Sequence, residues 1–502
     1  CGGATRPAAH GRVRRCAVGP RRDGAGVGVF LQMFFRTAPD SLDLRVCTCR
    51  SPFRWLRTIV CVNIALLPGR SPVRRNLALA PCAGGHRRHM NEREQSVFAA
   101  EGSCEMKTIV VLSTYPVYPR KHGGQMRVFH LYNRIGLHHR VAIVSFNLSD
   151  PFPVYQRTWG NVTEISVRAT PEHRRRLQQI QAQASIPAED MLMPVFSRLT
   201  PEYERIAQAH MEAADVLVAA QPYLFHLLEP FAGRKKLIYD AQNVEYLLKK
   251  EMIPASAVSD ALLEQTFLAE KRACELSDAI FVCSEEDAER MTALYRVTPD
   301  KMVLVPNGVD LEENPFVDLQ TKLRMKQNMG LHRPVAVFVG SGHPPNVQAV
   351  RQLALFAREL PDVLFMIVGG VCAAAGLYGG QHPPNVIPVG LAEDDLKRLV
   401  FAVSDMAVNP VAGGSGTNLK NADYMANGVP VISTPEGARG YRLLSGRDWI
   451  VAELPEFPHR IRVLSQDPFL RDSLSRHGRA RMEESYSWEA ISRGVLTMLQ
   501  GW

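Results

Sequence analysis

The residues best suited to chemistry lie in one run, Asn409-Pro-Val-Ala-Gly-Gly-Ser-Gly-Thr-Asn-Leu-Lys-Asn-Ala-Asp-Tyr-Met-Ala-Asn-Gly-Val-Pro-Val-Ile-Ser-Thr434. It reads as strand, glycine-rich loop, helix, glycine stop, strand. Gly413, Gly414 and Gly416 let backbone approach a ligand closely. A helix opening near Thr417 offers free N–H groups and a positive dipole end, which suits a diphosphate. Lys420 can bring an ammonium to the same anion. Asp423, three residues on, shares its helix face and can accept from a vicinal diol such as ribose. A second reading of the same spacing is a glycine-rich turn with an exposed Lys–Asp pair. Spacing alone does not separate the two.

Elements must hold such a loop in place, and the chain supplies them from Met106 onward. Short β-branched apolar runs alternate with helical stretches, the pattern of βαβ units around parallel sheets. Lys107–Leu112, Val141–Phe146, Val162–Val167, Asp215–Ala220, Lys236–Tyr239, Ala279–Cys283 and Met302–Val305 read as strands of a first series. After a polar linker, 314–333, a second series follows: Val335–Val339, Leu364–Val368, Val386–Val389, Met406–Val408 and Val429–Ser433. The expected fold is α/β, two Rossmann-like domains facing a cleft, with ligands beyond the carboxyl ends of the strands.

Charge divides the chain differently. Residues 1–105 hold 17 Arg, no Lys and 7 acidic residues, whereas 106–502 hold 42 basic and 43 acidic residues. The net charge of +9 therefore resides in the first segment and gives the body no nucleic-acid signature. Seven of the ten cysteines also lie there, while Cys274, Cys283 and Cys372 are widely spaced and expected in the core. That usage suits a reducing compartment and a cytoplasmic location. The apolar runs Gly26–Phe35 and Thr58–Leu67 reach about half the ~20 residues of a membrane span. Residues 1–105 read first as a non-native or disordered upstream extension, with Met106 as the functional start. A targeting segment and a basic arm for nucleic acid or membrane are the alternatives.

The run 409–434 resembles the donor-site segment of retaining glycosyltransferases of family 4, the group 1 class with the GT-B fold. Further resemblances follow in the same order as in that family. Lys121-His-Gly-Gly-Gln looks like its Gly-Gly loop, and Tyr239-Asp-Ala-Gln-Asn-Val-Glu-Tyr like its Asp-x-His-Asn-x-Glu segment. Ser277–Ser284 and Val305-Pro-Asn-Gly-Val-Asp resemble its closing strands and interdomain junction. Phe338-Val-Gly-Ser-Gly resembles the first strand of the donor domain, and Ser485-Tyr-Ser-Trp-Glu the start of the last helix. The resemblance implies an acceptor domain 106–313, a linker 314–333, a donor domain 334–484 and a final helix 485–502 that crosses back to the first domain. It implies donor contacts from Ser341, Asn307, Gly414, Ser415, Gly416, Thr417, Asn418, Leu419, Lys420 and Asp423. Acceptor-side contacts are implied for Gly123, Gly124, Asp240 and Asn243.

The departures from the family pattern matter. Its Glu-x(7)-Glu motif stands here as Ser415 and Asp423, which we read as a subgroup feature. After Phe338 no early cation is present, and this places more weight on Lys420. Ala220 and Gln221 stand where some members carry a His, so no catalytic residue is named. No Asp-x-Asp triplet and no metal-ligand spacing is visible, and no cofactor is expected. The glycines at 123 and 124 either cap an acceptor pocket or turn the chain. His122, His130, His138 and His139 with Arg127, Arg134 and Arg140 read as a solvated basic helix face, or as a contact for anionic lipid headgroups or a lipid diphosphate. The expected partners are a nucleotide-sugar donor and a glycan, lipid-linked or small-molecule acceptor. Peripheral contact with the inner face of a membrane is a further expectation. The alternatives are a nucleotide-sugar epimerase or phosphorylase of the same fold, and an inactive two-domain binding or scaffold protein.

Overall fold

The computed structural model describes residues 105–502, apart from Lys121, Asp150, Pro151, 185–187 and Ser415. The readings of 1–104 lie outside the described residues. The first sheet contains β1 (Thr108–Ser113), β2 (Arg140–Asn147), β3 (Val154–Trp159), β4 (Val162–Arg168), β5 (Val216–Ala219), β6 (Lys236–Asp240), β7 (Ala279–Val282) and β8 (Met302–Leu304). Their order is β3-β4-β2-β1-β5-β6-β7-β8, parallel except for β3. The second sheet contains β9 (Val335–Val339), β10 (Leu364–Val368), β11 (Val386–Gly390), β12 (Met406–Asn409), β13 (Val431–Ser433) and β14 (Ile450–Val451), ordered β11-β10-β9-β12-β13-β14. Helices cover these parallel strands on both faces, so the strands are apolar throughout: β5 and β7 are Val-Leu-Val-Ala and Ala-Ile-Phe-Val, every residue buried.

Strand order reverses between β1 and β5 and again between β9 and β12, and loops after those strands border a crevice. The helices that matter for it are α1 (Gly123–Ile135), α2 (Pro171–Ala184), α3 (Leu319–Asn328), α4 (Leu419–Ala426) and α5 (Trp488–Gln500). The chain passes between sheets twice, side by side. Val309 N–H donates to Tyr486 O at 2.8 Å, and Trp488 N–H to Val309 O at 3.3 Å. Ser487 then caps α5, whose Trp488, Ile491, Val495 and Leu499 bury among β1, β5 and α1 residues of the first domain.

Two differences from the sequence reading stand out. β3 is not among the expected strands; as a largely exposed antiparallel edge strand it lacks the continuous apolar run that marks its neighbours. The segment 314–333 is not simply a polar linker, because α3 lies within it. Lys322 donates to Phe401 O at 2.9 Å and Lys326 pairs with Asp405, both side chains buried against the second domain. Their long apolar stems pack while the heads find partners, which a composition reading takes for solvation.

Candidate functional site

The glycine-rich loop after β12 is built around positive φ angles, 104° at Gly414 and 75° at Gly416, which only glycine adopts without strain. Arg439, from the segment after β13, holds the loop: its Nη2 donates to Gly414 O at 2.6 Å and Gly416 O at 2.9 Å. α4 opens directly behind, and the side chain of its N-cap Asn418 makes no capping bond. The first turn of α4 thus faces the crevice with a positive dipole end.

Lys420 lies in that turn. Its Nζ donates to Asn346 Oδ1 at 2.7 Å and sits 4.4 Å from the centroid of the Phe338 ring. Asn346 in turn donates to Ser341 O and Oγ at 3.2 and 3.3 Å, so Ser341, Asn346 and Lys420 form one chain. No carboxylate pairs with Lys420 among the described residues, and burial lowers its ammonium to about 7. Asp423 points elsewhere and pairs with Lys397 at 2.6 Å. Lys420 and Asp423 are therefore not partners of one another. Thr417, Asn418 and Leu419 lie between these groups, with Asn418 O accepting from Tyr441 at 3.4 Å. Ser415 lies outside the described residues.

The loop after β1 supplies the opposite wall. Tyr115 Oη donates to Gln242 Oε1 at 2.9 Å, and Gln242 Nε2 to Ala220 O at 2.9 Å. A Cβ on Gly124 would overlap both Tyr115 and Gln242, so the glycine is required by close approach. His122 caps α1, its Nδ1 accepting from Gln125 N–H. Two contacts cross the crevice: a Cβ on Gly123 would lie 2.9 Å from Leu419 Cδ1, and one on Gly416 would lie 2.8 Å from Asn243 Oδ1. Gly123 and Asn243 thus face the glycine-rich loop and the start of α4 directly.

Asp240 does not. It is fully buried, Arg127 Nε and Nη2 donate to its Oδ1 at 2.9 and 2.7 Å, and Tyr132 donates to Oδ2 at 3.1 Å. Both oxygens are occupied inside the first domain, by Arg127 and Tyr132. Asn307 joins the same network, accepting from Arg127 at 3.3 Å, and is buried. The basic face on and around α1 is solvated only in part, at His122, His138 and Arg140. Arg127 and His130 are buried, and Arg134 pairs with Asp310 and Glu489. His130, Asp310 and Glu313 have ligand atoms within 4.8 Å of one another, but Arg120 and Arg134 pair with the two carboxylates.

Sequence reasoning missed Asn346, Lys397, Arg439 and Tyr115 as parts of this arrangement, whereas Gln242 stands within the segment Tyr239–Tyr246 singled out above. Only Asn346 had a local signal, since Pro344-Pro345 marks a helix start after β9. The others come together through long-range packing. Among the described residues no helix is long and apolar enough to cross a membrane.

Comparison with known proteins places these walls in context. The profile described as Glycosyltransferase Family 4 matches residues 122–313, and that of Glycosyl transferases group 1 matches 333–467. The alpha-galactosylglucosyldiacylglycerol synthase of Streptococcus pneumoniae is 24% identical over 119 residues, covering 22% of this chain and 32% of that protein. The D-inositol 3-phosphate glycosyltransferase of Jonesia denitrificans is 25% identical over 260 residues, covering 46% of this chain and 59% of that one. The chain thus matches about a third and three-fifths of the length of these relatives. Sucrose-phosphate synthase from Thermosynechococcus elongatus superposes with a TM-score of 0.60 at 16% identity, over 79% of this chain and 99% of that one. Anabaena HepE in complex with UDP-glucose gives 0.56 at 14%, over 79% and 100%. At such identities the likeness is one of fold.

Proposed function

The chain belongs to the group 1 glycosyltransferases of family 4, and on that premise we propose that it moves a sugar from a nucleotide diphosphate sugar to a hydroxyl of a lipid-linked or glycan acceptor, with retention of configuration. One observation carries the reading: the half-buried ammonium of Lys420, unpaired with any carboxylate among the described residues, stands in the first turn of α4 behind a positive-φ glycine loop. A cation held without a counter-charge beside a helix N-terminus is suited to an anionic diphosphate. Anabaena HepE, similar in fold, is known in complex with UDP and glucose and with UDP-glucose, and a sequence relative is named for a diacylglycerol product. These support the donor class and a lipid acceptor respectively.

In the proposed reaction the donor diphosphate binds against Lys420 and the α4 amides. The acceptor hydroxyl approaches from the Gly123–Gly124 side. The bond between the anomeric carbon and the leaving phosphate oxygen breaks, the acceptor oxygen bonds to that carbon on the same face, and the leaving oxygen receives the acceptor proton. The protein's part is positioning and stabilisation of the developing negative charge.

The test is a panel of nucleotide sugars assayed by thermal shift with the purified chain. A true donor at 100 times its Kd stabilises by about 2.7 kcal/mol. Release of nucleoside diphosphate with an acceptor, and the anomeric configuration of the product by NMR, then complete it. No stabilisation by any nucleotide sugar, or donor affinity unchanged in Lys420→Ala, would overturn the reading.

A further inference from the structure

The carboxyl edge of the first sheet carries exposed aromatic rings beside arginines that the donor and acceptor walls do not use. Tyr118 lies in the loop after β1, the loop that leads into Gly123 and Gly124. Phe152 lies in the loop between β2 and β3, and Arg174 is in the first turns of α2, just after β4. Because β3 runs antiparallel, Val154 pairs with Val167 near the end of β4, which brings Phe152 and Tyr155 to the same edge. Arg157 joins the parts: its guanidinium lies 3.8 Å from the Tyr118 ring centroid and 5.5 Å from that of Tyr155. Arg174 Nη1 donates to Leu148 O at 3.4 Å, which ties α2 to the residue that follows β2.

These side chains are presented outward. Phe152 is 60% exposed, Tyr118 44% and Tyr155 40%. Neither Arg157 nor Arg174 has a carboxylate within ion-pair distance among the described residues, while Glu172 serves Arg175 and Arg176. Glu164, opposite Arg157 on β4, is buried and accepts from Val117 N–H and Ser145, so among the described residues the outward side of the rim presents aromatic rings with Arg157 and Arg174.

We propose that this rim is where the enzyme docks on an anionic lipid bilayer. Tyr and Phe rings settle at headgroup depth, and each nearby arginine draws on the negative surface potential. Tyr118 lies in the loop that leads into the glycines at the start of α1, so docking would hold the acceptor-side wall against the lipid surface. A hydroxyl held at that surface could then enter the crevice without its chain leaving the bilayer. This deepens the lipid-linked reading of the acceptor, on which it rests, and it moves the lipid contact away from α1, whose cations are internally paired.

The experiment scores vesicle binding with neither donor nor acceptor present, so it can fail while sugar transfer stands, and the reverse. The full chain carries an arginine-rich segment ahead of residue 106, so a local probe is needed as well as a binding measurement. Phe152→Trp adds a fluorophore at the rim. Its added emission is expected to be quenched by brominated acyl chains in phosphatidylglycerol-containing vesicles and not in pure phosphatidylcholine. Arg157→Gln with Arg174→Gln is expected to weaken partitioning about 25-fold, at about fivefold per arginine. Both variants should keep the parent's melting midpoint and donor hydrolysis. The proposal is overturned if the added tryptophan stays unquenched while the chain sediments with vesicles. It is equally overturned by equal binding to neutral vesicles, by no binding at all, or by unchanged partitioning of the folded arginine variant.

Discussion

Gly123 and Leu419 stand on opposite walls of the crevice, and a Cβ on the glycine would come within 2.9 Å of the leucine's Cδ1. Alanine in a first helical turn is at least as good a helix former as glycine. Gly123→Ala should therefore leave the melting midpoint unchanged while holding the two loops slightly apart. The leucine methyl can rotate away, so a few-fold loss of turnover is expected for alanine and roughly tenfold or more for valine. Steady-state kinetics with donor and acceptor check this. A fall in thermal stability with turnover intact would mean that the contact belongs to folding rather than to the closed geometry.

Lys420 links donor affinity to pH. Burial lowers the free ammonium to about 7, and a bound diphosphate would raise it back toward its usual value. Affinity is then fully present below pH about 7 and falls by up to about tenfold per unit as pH rises through the window between the free and bound values. Lys420→Ala should weaken binding by about 1.5–3 kcal/mol and flatten that profile. Titration calorimetry with a sugar nucleotide on both sides of neutrality measures both effects. His343, whose own pKa is lowered by burial and by Lys420, is the neighbouring group to control for by substitution.

The buried pair of Arg127 and Asp240 distinguishes a structural carboxylate from an acceptor-binding one. Asp240→Asn leaves a guanidinium uncompensated in the core, at a cost of about 3–5 kcal/mol. Chemical denaturation should show that loss, while the KM for acceptor in the folded fraction stays unchanged. A raised acceptor KM with stability intact would favour the acceptor-side role read from the sequence.

Asp240 shows how much of the arrangement the sequence reveals. Parallel strands such as β5 and β7 are apolar at every position, and α5 announces itself through the capping Ser487 before Trp488, so the two α/β series could be read directly. The glycine loop was also legible, because Gly414 and Gly416 need φ values that other residues avoid. Nothing local reports that Asp240 faces Arg127, 113 positions away, rather than the crevice. Nor does spacing show that Lys420 turns to Asn346 while Asp423 turns to Lys397. One helical face can send neighbouring charges to different partners, and only the packing of other elements decides which.

Arg439 should matter through the loop it holds. Removing it frees the carbonyls of Gly414 and Gly416 from two charge-assisted bonds, which should raise the donor KM while leaving the fold intact. Arg439→Lys keeps the charge but not the fork that spans both carbonyls, so it should rescue only partly. An unchanged KM in Arg439→Ala would show that the loop keeps its shape without the arginine.

Arg442 and Glu285 form an ion pair between the domains, one from the segment after β13 and the other opening the helix after β7. Both side chains are more than half exposed, at 68% and 52%. Water and salt screen such pairs, and the expected contribution to closure is under about 1 kcal/mol. Arg442→Glu should therefore lower turnover by less than about fivefold at low salt. The double exchange Arg442→Glu with Glu285→Arg should restore it, and added salt should erase the difference. The Gly123→Val defect arises from steric contact and should persist at every ionic strength. A salt-insensitive loss in Arg442→Glu, unrepaired by the exchange, would mean that Arg442 acts on the donor loop itself rather than through Glu285.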